Sequence, residues 1–122
     1  MILVDTYIWI DHFRVANRYL VELLNQELVC IHPWVVGELA CGNLADRKNT
    51  LYLLRSLPQD MVATDREVLL FIENHGIADK GIGYLDMHLL AATALNSQKI
   101  WTRDRRLNEV ASLLGLNASV TS

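Results

Sequence analysis

Asp5, Glu38, Asp86 and Asp104 stand apart from the other acidic residues of this sequence by the company they keep. Asp5 follows directly on the apolar run Ile2-Leu3-Val4, and Asp104 follows closely on Ile100-Trp101-Thr102. Either position suits a helix N-cap, for which Asp is a preferred residue. Glu38 has Trp34, Val35, Cys41 and Gly42 as helical neighbours, and Asp86 has Ile82, Gly83, Leu89 and Leu90. Both carboxylates are therefore expected on uncharged, covered faces. A carboxylate so placed must pair with an arginine, bind a metal or take up a proton. Other acids have plainer explanations: Glu67 completes an S/T-x-x-E capping box from Thr64, and Asp46 and Asp60 fall at a helix start and a turn.

Brought together, such carboxylates repel one another and raise each other's pKa unless a cation sits among them. Oxygen-only ligands suit hard divalent ions, here Mg²⁺ or Mn²⁺. A pair of such ions can activate water and stabilise the leaving oxygen of a phosphodiester, so hydrolysis of a nucleic-acid backbone is the chemistry this set suggests. No histidine base is needed, and His12, His32, His75 and His88 show no metal-site spacing, which points to structural or exposed roles. Arg103, Arg105 and Arg106 form, with Lys99, the densest basic segment. Arg103 and Arg105 are the expected substrate contacts, through phosphate.

The 122 residues are 52% hydrophobic and 20% charged, enough apolar material for one core and too much for a disordered chain. One domain over residues 1–122 is expected. The net charge of −3 runs against simple polyanion binding, although divalent cations in the cluster would offset it. The N-terminus lacks the basic start and long apolar stretch of a signal peptide, so a cytoplasmic protein without a membrane role is expected. Cys30 and Cys41 form no CxxC pair and fit buried, reduced thiols.

These residues must be positioned by alternating strands and helices. Strands are expected at Ile2–Val4, Leu28–Ile31, Met61–Ala63 and Ile100–Thr102, with a further edge strand at Ala118–Val120. Helices are expected over Tyr7–Phe13, 17–25, Trp34–Cys41, from Asp46 towards Pro58, from Thr64 to Asn74, Tyr84–Asn96 and from Asp104 to Leu114. This order implies a three-layer α/β/α sandwich with a mainly parallel sheet. Ligands in such folds gather beyond the carboxyl ends of the strands, where Asp5 and Asp104 fall.

Four segments together carry a resemblance: Ile2-Leu3-Val4-Asp5-Thr6; Pro33 with Glu38-Leu39 and Gly42; Gly81-Ile82-Gly83-Tyr84-Leu85-Asp86 with Leu90-Ala91-Ala92; and Trp101-Thr102-Arg103-Asp104-Arg105-Arg106-Leu107. In this order and spacing the chain resembles the PIN-domain nucleases, most closely VapC-type toxins of toxin-antitoxin pairs. The resemblance implies a PIN-like α/β/α fold, RNA cleavage with Mg²⁺ or Mn²⁺ and a homodimer held inactive by a cognate antitoxin. It assigns the catalytic and metal-binding roles to Asp5, Glu38, Asp86 and Asp104, with Thr6 and Thr102 in support. It departs at Tyr7, where the family commonly has Ser or Asn. Some of Trp9, Phe13, Trp34 and Tyr52 are then expected to line a groove for an antitoxin helix. Two rival readings remain. A non-catalytic RNA-binding version of the fold is one, and a phosphoacceptor receiver domain is the other, although Thr6 rather than a second acid follows Asp5.

Overall fold

The computed structural model describes residues 1–120. Three short strands, β1 (Ile2–Val4), β2 (Val29–Cys30) and β3 (Lys99–Trp101), form a parallel sheet in the order β2-β1-β3. Leu3 pairs with Cys30 on one side and Ile100 on the other. Successive strand residues face opposite sides of a sheet. Leu3 and Val4 are both 0% exposed, and Val29, Cys30, Ile100 and Trp101 are also buried, so both faces are covered. The result is an α/β sandwich, with the core running through the sheet.

Among the described residues seven helices supply the cover: α1 (Thr6–Arg14), α2 (Arg18–Asn25), α3 (Pro33–Ala40), α4 (Arg47–Arg55), α5 (Asp65–His75), α6 (Tyr84–Leu95) and α7 (Arg105–Leu113). Their starts follow local chemistry. Asn17 caps α2 through the Leu20 N–H, and Pro33 occupies the first turn of α3, where its missing N–H costs nothing. The Thr64–Glu67 capping box opens α5 as expected, and Gly76 closes it at φ 60°. Helix α6 is the most deeply buried: Met87 through Thr93 are all covered. No helix among the described residues is long and apolar enough to cross a membrane.

Two expected strands are corrected. Met61–Ala63 forms none; the chain makes one parallel bridge, Gln59 with Ile31, and then leaves the sheet. The Met61 N–H and carbonyl are both taken by the Asn96 side chain at 3.1 and 3.0 Å, so the backbone groups that a strand would offer to a neighbour are already used. At the other edge the tail pairs earlier than Ala118–Val120. Leu116 and Ala118 bond the two sides of Ile100 at 2.7 and 2.8 Å, giving a single bridge at Asn117.

Asp60 is also corrected. Expected in a turn, it is a buried carboxyl next to the bridge at Gln59, with one oxygen receiving the Gln98 amide at 2.8 Å. Its other oxygen and the Gln98 carbonyl are buried without partners. Burial raises the Asp60 pKa, opposed by hydrogen bonds from Gln98 and the Cys30 thiol, and Cys30 is pushed up in turn by burial and by Asp60. The thiol is therefore inert. Cys41, expected to be buried, is exposed.

Because the folded chain holds the Asp60 proton more tightly than the unfolded chain, this group favours folding in acid and opposes it once the pH passes its raised pKa. Asp60→Asn is expected to raise the thermal midpoint at pH 7, by about 4 °C per kcal/mol recovered, with the gain shrinking below about pH 4. Thermal unfolding across that range checks it; an equal shift at every pH would contradict it.

Candidate functional site

Asp5 leaves β1 at the carboxyl edge of the sheet and is held from three directions. Its N–H donates to the Trp101 carbonyl at 2.9 Å, which registers it against β3. One carboxylate oxygen caps α1 by accepting the Thr6 N–H at 2.8 Å, and the other accepts the Thr102 hydroxyl at 2.6 Å. Thr102, the residue after β3, in turn receives the Asp104 N–H at 3.1 Å. A single hydroxyl thus ties the carboxylate of Asp5 to the backbone of Asp104. Asp104 caps α7 through the Leu107 N–H at 2.9 Å.

Glu38 comes from α3, and one of its oxygens accepts the Thr6 hydroxyl at 2.9 Å. Asp86 sits in the first turn of α6, half-buried. Its pKa is pushed up to about 6, first by burial and then by the charges of Asp5, Asp104 and Glu38, against a hydrogen bond from the Gly83 N–H. The other three carboxylates all act on this one group. Residues spread over a hundred positions are therefore electrostatic neighbours.

Burial is distributed differently from what the sequence suggested. Asp5 is the covered member, whereas Glu38 and Asp104 are exposed. Val35 and Leu39 define the covered face of α3, and Glu38 lies beside that face rather than on it. The expectation that Glu38 is covered is thus corrected. The arginine explanation also fails: among the described residues the ion pairs are Arg103 with Asp11, Arg105 with Glu109 at 3.2 Å and His88 with Asp65 at 3.1 Å. None involves the four acids.

Arg103 and Arg105, the expected phosphate contacts, each face a carboxylate outside the cluster. No local pattern announces the Arg103–Asp11 pair, whose members are 92 positions apart. Arg106 instead lies against Gly81, where an added Cβ would come within 2.5 Å of its guanidinium and where φ is 79°. Only glycine is comfortable there, and the contact braces the loop leading to Asp86. His32 and His88 are buried and outside the cluster. His32 accepts the Trp34 N–H at 3.0 Å, and burial, then His88, lowers its pKa to about 4. Tyr7 projects outward, 68% exposed, and does not brace Asp5.

The donor set suits a hard cation: four carboxylates, no sulfur, no nitrogen and no basic counter-ion. Among the described residues no three His, Cys, Asp or Glu side chains already close around one ion position. The mutual repulsion registered at Asp86 and the missing ready-made grip are compatible, because charge acts over longer distances than coordination. Several of the oxygens are meanwhile held by Thr6, Thr102 and the α1 and α7 N–H groups.

The PIN domain family profile matches residues 2–113. Ribonuclease VapC32 of Mycobacterium tuberculosis, in strains CDC 1551 / Oshkosh and ATCC 25618 / H37Rv, is 41% identical over 117 residues. The aligned region covers 95% of this chain and 94% of that protein.

Because Asp86 is protonated more readily in the folded chain, it supports folding below about pH 4 and costs stability as the pH rises through about 6. In metal-free buffer Asp86→Asn is expected to melt several degrees higher than the parent at pH 7.5 and level with it at pH 4. Calorimetry over this range checks it. A variant less stable than the parent at pH 7.5 would contradict it.

Proposed function

Because the chain belongs to the PIN domain family, we propose that it is a divalent-metal-dependent endoribonuclease, the toxin of a toxin-antitoxin pair. The observation that carries this reading is the electrostatic convergence of Asp5, Glu38, Asp86 and Asp104 with no basic partner among the described residues. Two relatives that align along nearly its whole length are ribonucleases by name. In this reading residues 1–122 form one PIN-like domain working in the cytoplasm.

Asp5, Asp86 and Asp104, with Glu38, would hold Mg²⁺ or Mn²⁺. A bound divalent ion would supply charge neutralisation at the phosphate and an activated water. The protein's part is placement. Thr102 orients the Asp5 carboxylate, and Thr6 orients that of Glu38. Such outer partners fix the direction of a ligand's lone pairs. Asp86 carries the raised pKa, so a cation is worth most there: it removes the repulsion from its three neighbours.

The cognate antitoxin would seat a helix in the groove of about 480 Å³ beside Glu38, whose apolar walls include Ile10, Phe13, Leu39 and Leu44. Of the aromatics expected to form this surface, Trp9 is buried in the core and cannot take part, while Phe13, Trp34 and Tyr52 are exposed. Unchanged antitoxin affinity in a folded Phe13→Ala variant would count against the groove. A homodimer belongs to the same reading, and Leu69, Leu70 and Met61 offer it exposed apolar surface.

Cleavage of total cellular RNA in Mg²⁺ tests the activity. Discrete products are expected, with none in chelator and at least a ~100-fold loss in Asp5→Asn and Asp86→Asn, beyond the ~10–100-fold expected for Thr102→Val. Equal cleavage by parent and variants, or cleavage indifferent to chelation, would refute the assignment.

A further inference from the structure

Hydrogen bonds join three of the four acids but pass Asp86 by. Thr6 holds both Asp5 and Glu38, and Thr102 ties Asp5 to Asp104. Asp86 is bonded to Gly83 at the start of its own helix, and among the described residues it meets the other acids through charge alone. Its distance from them is therefore set by how α6 docks. Helix α6 packs on α5 and β3, whereas α3, which carries Glu38, packs on α1 and α4. Some contact must register one group against the other.

A column of rings spans the two. His32 caps α3 by accepting the Trp34 N–H at 3.0 Å and meets the Trp34 indole edge-on, with centroids 6.2 Å apart. The indole packs on the His88 imidazole of α6, with centroids 4.1 Å apart and planes inclined by 37°. His88 is buried and held in turn: its Nε2 lies 3.1 Å from an Asp65 oxygen at the start of α5, and Tyr84 meets the ring edge-on at 4.8 Å while donating its hydroxyl to that same oxygen at 2.7 Å. The starts of α3, α5 and α6 thus converge on one cluster of rings. Aromatic pairs prefer particular mutual orientations, so such a cluster fixes direction as well as contact. Burial of aliphatic side chains such as Val35 and Leu39 is non-directional and does not.

From this arrangement we infer that Trp34 and His88 are positioning residues of the site: their stack fixes α3 against α6, and so sets the span between Glu38 and Asp86 across which a shared cation would be held. Glu38 stands one turn beyond Trp34 on the same face of α3, and Asp86 lies within one turn of His88. A change at the stack is carried along both helices to the carboxylates. The inference rests on the divalent-cation reading and adds to it the contact that gives the site its width.

Mn²⁺ binding to the intact chain, followed by the electron-spin resonance of the free ion, tests this without reference to cleavage. Trp34→Leu keeps apolar bulk at a position already 38% exposed and removes the flat ring; Trp34→Met takes its place if that variant does not fold. The loss of the ring is expected to weaken Mn²⁺ binding about 10–100-fold, the range for residues that orient a metal ligand. Trp34→Phe, which can still stack on His88, is expected to restore most of the affinity. A double-mutant cycle separates positioning from a general loosening of the fold. In a Glu38→Gln background Trp34→Leu is expected to cost no more than about 2-fold, because the carboxylate that the ring places is gone. Undiminished binding in Trp34→Leu, or the same loss with and without Glu38, would overturn the inference and leave the cation reading standing. A parent chain that binds no Mn²⁺ would overturn both.

Discussion

Repulsion among like charges is the constraint around which this molecule is arranged. Asp86 feels Asp5, Asp104 and Glu38 together, and among the described residues no arginine or lysine pairs with any of them. Gathering acids in this way costs folding free energy at neutral pH, so the surrounding elements must impose it. They do so with neutral donors. The Thr102 hydroxyl, the Thr6 hydroxyl and N–H and the Leu107 N–H of α7 each hold a carboxylate without cancelling its charge. A positively charged partner would have stabilised the chain and cancelled the negative potential that the proposed cation requires.

The sheet makes this arrangement possible with very little structure. Three parallel strands of two or three residues each end at the same edge, and β1 and β3 release Asp5 and Thr102 side by side through the bond from the Asp5 N–H to Trp101. Both faces of these strands are buried. Helix α6 brings Asp86 to that edge on a loop held by the contact between Gly81 and Arg106. A glycine's left-handed backbone and packing by an arginine thus serve the position of an acid.

Much of this was legible in the sequence. Apolar runs stopping at Asp5 and near Asp104 marked strand ends, and the Thr64–Glu67 box and Gly76 marked the ends of α5. Neighbour composition picked out Glu38 and Asp86, but it misjudged the burial of Glu38: helical spacing tells which residues share a face, not where the covered face stops. Met61–Ala63 read as a strand because its residue types favour one, whereas the Asn96 side chain, 35 positions away, takes its backbone groups. The burial of Asp60 beside Gln98 and the pairing of Arg103 with Asp11 are likewise long-range facts that no local pattern encodes. Tyr7 was visible as a departure at once; that it points outward needed the structure.

The central claim is that the four carboxylates together bind a divalent cation. Crystals grown with Mn²⁺ and measured at its absorption edge test this most directly, since anomalous scattering locates the ion without reference to activity. The account requires manganese among Asp5, Glu38, Asp86 and Asp104, with carboxylate oxygens at roughly 2.0–2.2 Å, close to the octahedral range of the smaller Mg²⁺. Manganese bound elsewhere, or absent while the four side chains diverge, would contradict it.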